Sequence, residues 1–275
     1  MCYVGAHRTL IVRQLKGLQS VLNYTVVDWY LDKSTGWRFT TSDKVSECTI
    51  DPINQYSLLR DIYQQSQSDY TGNITVPVLY DVHSKHIVNN ESADIVRMLN
   101  SEFNEYSSNP HLDLYPVKLR EQIDSINSLV YDNINNGVYK CGFAQSQEAY
   151  NENYTNLFTA LDKVERILSK SRYLVGNELT ESDVRLFTTL IRFDAVYNVH
   201  FKCNGKRIVD YPNIHGYMCD LYNHDSGAFS DTTNITHIKH HYYESHQHIN
   251  PTRIVPNGPI DLQFGAKYAE SRRNM

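Results

Sequence analysis

Between Glu105 and Pro116 the chain reads EYSSNPHLDLYP, and the sequence on the two sides of this polar joint follows different periods. After it, apolar residues recur at helical spacing, so that Val117–Asn135, Ser146–Lys170 and Glu181–Tyr197 read as helices, with less regular helices between Pro212 and Tyr243. Before it, β-branched runs alternate with helical ones. A chain of 275 residues broken in this way predicts two domains. One is a mixed α/β domain over residues 1–104, and the other an all-helical domain over residues 112–275 with a Pro- and Gly-rich C-terminal extension draped over its surface. Hydrophobic residues at 41% and charged residues at 21% suffice to give each a core.

The mixed half can be read element by element. Leu10, Ile11, Leu15 and Leu18 recur near helical spacing over Ala6–Leu18, with Gly17 weakening the end. YTVVDW at Tyr24–Trp29 reads as a strand, and a polar loop carrying Gly36-Trp37-Arg38-Phe39 leads to a helix over Ser57–Gln67. VPVLYD at Val76–Asp81, a turn at His83–Lys85 and a strand from His86 form a hairpin, after which Asn90 is placed to cap a helix from Glu91 to Leu99. The order helix–strand–helix–strand–strand–helix is that of a thioredoxin-like domain without its opening strand. An internal strand is worth as much as a domain's whole stability, ~5–15 kcal/mol, so the natural chain is expected to begin upstream of Met1. In the helical half, LTESDV forms a capping box from Thr180 and Asp183, with Leu179 and Val184 as its staple. That device is structural.

Charge and cysteine usage exclude several classes. A net charge of -5 gives no reason to expect nucleic acid or an anionic membrane as partner, and no apolar run approaches a membrane span. The five cysteines are odd in number, widely spaced and without a CxxC pair, which argues against a disulfide framework or zinc knuckle and for a reducing, cytoplasmic compartment. Arg8, Arg13 and Lys16 interrupt the first twenty residues, unlike a secretory signal. His237, His240, His241, His246 and His248 crowd the C-terminal region, but no acid or thiol completes a metal site at ligand spacing, so no metal is expected. Twenty-one tyrosines suit half-wet clefts.

Four longer segments carry more specific information: Gly36-Trp37-Arg38-Phe39, VRLFTTLIRFDAVYNVHFKCN at Val184–Asn204, VDYPNI at Val209–Ile214 and HHYYESHQHINP at His240–Pro251. Together they resemble the glutathionyl-hydroquinone reductases, the xi class of the glutathione transferases, and the resemblance runs from about Ala6 to the C-terminal tail. It implies a thioredoxin-like glutathione-binding domain, a glutathione transferase-type helical domain and a homodimer. The implied partners are glutathione, as co-substrate, and a quinone-derived conjugate. The implied reaction removes glutathione from a hydroquinone and releases it as oxidised glutathione.

The resemblance also implies roles for individual residues. Pro77 would follow a cis peptide bond that turns the backbone of Val76 outward to pair with the cysteinyl part of glutathione. Glu91 would take the ligand's ammonium and Ser92 its carboxylate at a helix start, with Trp37 and Arg38 beside the tripeptide. Tyr139 and Tyr197 would face the quinone, where a phenol can bind its oxygens and help protonate the departing carbon. Cys141 and Cys203 read as buried structural thiols. The nucleophile of the family begins the first helix in Cys-Pro-Trp-Ala-His-Arg; here the chain reads Met1-Cys2-Tyr3-Val4-Gly5-Ala6-His7-Arg8. Cys2 is the expected nucleophile, one residue further from His7 than in the family, and Gly5 is where an extra residue could loop out. Two other readings stay open at this point. One is a glutathione-binding protein without thiol chemistry, the other a conjugating transferase that uses the Tyr3 hydroxyl.

Overall fold

The computed structural model describes residues 3–41, 48–259, 261–273 and 275. The chain divides into two compact units, Met1–Ser108 with Thr233–Val255, and Asn109–Thr232 with Pro256–Met275. The joint within Glu105–Pro116 thus separates them, but Thr233–Val255 folds with the first hundred residues rather than with 112–275.

The first unit opens with helix α1 (Val4–Leu15), whose Ile11, Val12 and Leu15 are buried. It ends at a Schellman motif: Lys16 is the C-cap, Gly17 adopts φ +64°, the Leu18 N–H donates to the Arg13 carbonyl and the Gly17 N–H to the Gln14 carbonyl. A methyl group on Gly17 would meet Ser108 Oγ at 1.7 Å, so the position needs glycine for both its dihedral and its close approach. Gly17→Ala is expected to destabilise this unit by ~1–2 kcal/mol, read as a lowered urea midpoint. Adding Ser108→Ala should recover the steric part alone.

Helix α2 (Leu59–Ser66), strands β1 (Leu79–Asp81) and β2 (His86–Asn89), and helix α3 (Ser92–Ser101) follow in the expected order. The strands pair antiparallel, Tyr80 opposite Ile87, and Asp81 closes their turn by accepting from the His83 N–H and the Ser84 hydroxyl. Around Trp37, the residues Val27, Phe39, Leu59, Ile62 and Tyr63 make a compact core. The predicted strand at Tyr24–Trp29 is not assigned as one. Its backbone is satisfied piecemeal: Val26 exchanges hydrogen bonds with Thr49, its N–H going to the side-chain hydroxyl, while the Asp28 N–H donates to Arg38. No ladder forms there among the described residues. Asn90 does not cap α3 either. Glu91 is the N-cap residue, and the Asn90 amide turns inward to Tyr63 and Thr75.

The second unit is helical. Helices α4 (Arg120–Val130), α5 (Gly137–Gly142), α6 (Gln147–Leu168), α7 (Glu181–Arg192), the single turn α8 (Asn198–His200) and α9 (Pro212–Tyr222) supply its core. On α6 the residues Leu157, Ala160, Leu161, Val164 and Leu168 form the buried stripe that helical periodicity requires. π-helical turns extend α4 through Tyr131–Asn135 and α7 through Phe193–Tyr197, which accounts for the longer helices read from the sequence. The capping box at the start of α7 is present. Glu165 caps α9 by accepting the Asn213 and Ile214 N–H groups.

Helix α10 (Ile235–Ser245) returns to the first unit, and α11 (Glu270–Arg273) closes the second. The tail is more than a surface drape. Arg272 is buried and donates to the carbonyls of Leu168, Ser171 and Arg172, groups left over at the end of α6. Among the described residues no helix is long and apolar enough to cross a membrane.

Candidate functional site

Two helix amino ends meet in the first unit. A methyl group on Gly5, the second residue of α1, would come 3.2 Å from Ser92 Cβ and 3.4 Å from Pro77 Cδ. Ser92 is the first residue of α3, and neither helix has a side-chain N-cap hydrogen bond. The positive ends of two helix dipoles therefore converge beside Pro77, a field that favours thiolate and carboxylate. Glycine at position 5 is what allows the approach. Gly5 lies inside α1 and its φ is not positive, so it does not accommodate a looped-out residue. Tyr3 is the N-cap residue, its carbonyl accepting from the His7 N–H at 3.0 Å. Cys2 lies outside the described residues.

The Val76–Pro77 peptide bond is cis, as the family resemblance implies. Thr75, just before it, is clamped from both sides. The Tyr63 hydroxyl donates to the Thr75 carbonyl at 2.8 Å, and the Asn90 amide donates to the Tyr63 hydroxyl at 3.1 Å and to Thr75 Oγ1 at 3.2 Å. The N–H and C=O of Val76 have no hydrogen-bond partner among the described residues. The same holds for the Ser92 hydroxyl, the Glu91 carboxylate, the Arg38 guanidinium and the Trp37 indole N–H. A half-buried main chain left open in this way asks for an extended partner. Sequence reasoning missed the Tyr63–Asn90 clamp. Its only signal is Tyr63 on the apolar face of α2, in register with Leu59 and Ile62.

Trp37 is 3% exposed. Its indole stacks on His241 at 5.3 Å and meets the Tyr3 ring edge-on at 6.4 Å. Arg38, by contrast, is exposed. The histidines of α10, His237, His240 and His241, are packing groups. His241 donates from Nδ1 to the Trp29 carbonyl at 2.8 Å, which fixes its tautomer. His240 stacks on the Trp29 ring at 4.4 Å and pairs with Glu244 at 2.6 Å, and His237 lies 3.4 Å from the Cys48 sulfur. Among the described residues no group of three His, Cys, Asp or Glu could hold a metal.

In the second unit, Tyr139 on α5 and Tyr197 at the π-helical end of α7 have ring centroids 6.0 Å apart. Tyr197 stacks on Phe201 at 5.4 Å and is fully buried, whereas Tyr139 is half-buried and touches Phe143 and Phe201. Of the pair, Tyr139 is the phenol a ligand reaches first. Cys48, Cys141, Cys203 and Cys219 are all buried thiols without a disulfide, and burial pushes the Cys219 thiol up to about 12.

The glutathione S-transferase N-terminal domain model matches residues 5–102 and the C-terminal domain model residues 147–218. The glutathionyl-hydroquinone reductase PcpF of Sphingobium chlorophenolicum is 47% identical over 254 residues, 92% of this chain and 79% of the relative. The xi glutathione S-transferase of Phanerochaete chrysosporium superposes with a TM-score of 0.90 at 49% identity, covering 94% of this chain and 87% of that one. The glutathione-bound structure of YqjG, a glutathione transferase homologue of Escherichia coli, gives 0.89 at 45%, covering 94% and 82%.

Proposed function

The chain belongs to the xi class of the glutathione S-transferase family, and from that premise we propose that it is a glutathione-dependent reductase of glutathionyl-hydroquinones with Cys2 as nucleophile. One observation carries the assignment of the site: the amino ends of α1 and α3 converge on the cis-proline beside an unpartnered Val76 main chain. Glutathione fits that frame with its cysteinyl backbone on Val76, its γ-glutamyl carboxylate on Ser92 and its ammonium on Glu91. Trp37 forms the wall, and Arg38 is a cationic neighbour. Ser92→Ala should raise the glutathione Kd roughly tenfold, the worth of one hydrogen bond to a charged group, in a calorimetric titration.

The chemistry is thiol exchange extended to an aryl thioether. The Cys2 thiolate attacks the glutathione sulfur of the conjugate, an S–S bond forms as the aryl–S bond breaks, and the departing carbon takes a proton, for which the Tyr139 hydroxyl is the donor. Tyr197 supports the Tyr139 ring. A second glutathione thiolate attacks the mixed disulfide, releasing oxidised glutathione and restoring Cys2. Two glutathione sulfurs are oxidised by two electrons while aryl–S becomes aryl–H. A free-thiol mechanism suits the reducing cytoplasm, and the active form is a homodimer.

Tyr3 at the N-cap of α1 favours a second reading, in which its hydroxyl activates glutathione for conjugation. Incubation with glutathionyl-benzohydroquinone and glutathione separates the two. Release of hydroquinone with oxidised glutathione supports the reductase. Binding of glutathione without release, or conjugation that disappears in Tyr3→Phe, overturns it.

A further inference from the structure

Tyr63 stands on the buried face of α2, 2% exposed, in the core around Trp37. Its hydroxyl is used to capacity. It donates to the Thr75 carbonyl at 2.8 Å and accepts from the Asn90 amide at 3.1 Å and from the Thr75 N–H at 3.3 Å, which exhausts one donor and two lone pairs. The Asn90 amide is equally spent, its second N–H going to Thr75 Oγ1 at 3.2 Å. Thr75 and Asn90 flank the β1–β2 hairpin, Thr75 directly before Val76 and Asn90 directly before Glu91 and Ser92. One phenol therefore joins the segment that presents the Val76 main chain to the segment that starts α3. The hairpin's own ladder does not make this link. Its register shifts between Leu79 and Tyr80, and its pairs end at Leu79 opposite Asn89. The phenol, in contrast, is held by a rigid element, with Leu59 and Ile62 in the same core and the Tyr70 ring 4.9 Å away.

We propose that Tyr63 is a positioning residue that sets the spacing between the cysteinyl subsite at Val76 and the γ-glutamyl subsite at Glu91 and Ser92, and so governs affinity for ligands long enough to span both. The inference rests on the glutathione reading of the site and adds to it a residue whose hydroxyl is already closed by protein partners. The reason is geometric. The distance between the cysteinyl amide and the γ-glutamyl carboxylate is bounded by the covalent frame of the tripeptide, so both ends bind without strain only if the protein holds its two anchor points at the matching separation. Without the phenol's hydrogen bonds the Thr75–Val76 segment and the start of α3 lose their direct link to a common post. A spanning ligand must then give up bonds at one end or spend binding energy on restoring the separation. A ligand held at Val76 alone is indifferent to where Ser92 lies.

The test compares three ligands on the full chain by ligand-observed NMR titration: glutathione and γ-glutamylcysteine, which span both subsites, and cysteinylglycine, which reaches only the first. Tyr63→Phe and Asn90→Ala should each raise the Kd of the two spanning ligands roughly tenfold and that of cysteinylglycine by less than about twofold. Because the comparison is made between ligands on one variant, a general loss of stability does not imitate it. Tyr70→Phe, which removes a neighbouring hydroxyl bonded to the Asn73 carbonyl, should change none of the three. The loss caused by Ser92→Ala should shrink to about threefold or less in the Tyr63→Phe background, since a displaced subsite has little left to lose. Equal losses for all three ligands would overturn the proposal, as would Ser92→Ala and Tyr63→Phe effects that simply multiply. An unchanged glutathione Kd in Tyr63→Phe overturns it and leaves the reading of the site intact, whereas a wild-type chain that binds neither spanning ligand overturns both.

Discussion

Replacing Cys2 by serine lowers hydroquinone release from glutathionyl-benzohydroquinone by roughly a thousandfold or more, while glutathione affinity changes by about twofold at most. The asymmetry follows from what the sulfur does. A serine hydroxyl is un-ionised at neutral pH and cannot displace an aryl leaving group from sulfur, whereas a thiolate near helix amides is both ionised and soft. Binding rests on other groups, namely the Val76 main chain, Ser92 and Glu91. No other cysteine can substitute, because Cys48, Cys141, Cys203 and Cys219 are buried and burial holds Cys219 protonated at neutral pH. Tyr3→Phe, made alongside, should leave release intact. Full release in Cys2→Ser together with loss in Tyr3→Phe would transfer the chemistry from the sulfur to the N-cap phenol.

The hairpin and helix that frame this site can be read from short-range sequence signals, because the local chemistry dictates the conformation, whereas the roles of their residues are what the family resemblance implies. A proline opening a hairpin strand, a polar turn at His83–Lys85 and an acidic-serine pair before an apolar run each point to one geometry, and β1, β2 and α3 form within a few residues of expectation. The errors fall where distant residues decide. Tyr24–Trp29 has the composition of a strand, but strand identity depends on a neighbour to pair with, and its backbone bonds instead to Thr49, Arg38 and His241. Asn90 has the side chain of a cap, yet Tyr63 and Thr75, 27 and 15 residues away, compete for its amide and win. In the histidine-rich stretch, where no metal site is completed at ligand spacing, the partners are equally distant: Trp29 and Trp37 supply the faces on which His240 and His241 stack. Gly5 is the most instructive case. Its value lies in the absent side chain that lets α1 approach Ser92 and Pro77, a relation between three segments that no window of sequence contains.

The largest expected effect on stability belongs to Asp183, where local and distant signals coincide. Its carboxylate is fully buried and accepts from four donors: the Thr180 N–H at 2.8 Å, the Thr180 hydroxyl at 3.0 Å, the Leu174 N–H at 3.0 Å and the Tyr217 hydroxyl at 2.8 Å. One side chain thus starts α7, holds the turn that precedes it and anchors α9. Asp183→Ala strands four buried donors at once, each costing ~1–3 kcal/mol when orphaned, though not additively. The net loss should be ~3–5 kcal/mol, seen as a drop in the urea midpoint of the helical unit, while Tyr217→Phe removes a single donor and costs ~1 kcal/mol. Burial pushes the carboxyl above its ordinary value in spite of those donors. Because the folded value is the higher one, the native state takes up the proton first as pH falls, so Asp183 contributes more between its folded value and about 3.9 than at neutrality. The Asp183→Ala penalty should therefore grow as pH falls from neutrality through the folded value toward about 3.9. A penalty that shrinks over that range would mean the four donors outweigh desolvation and the carboxylate is the form the fold prefers.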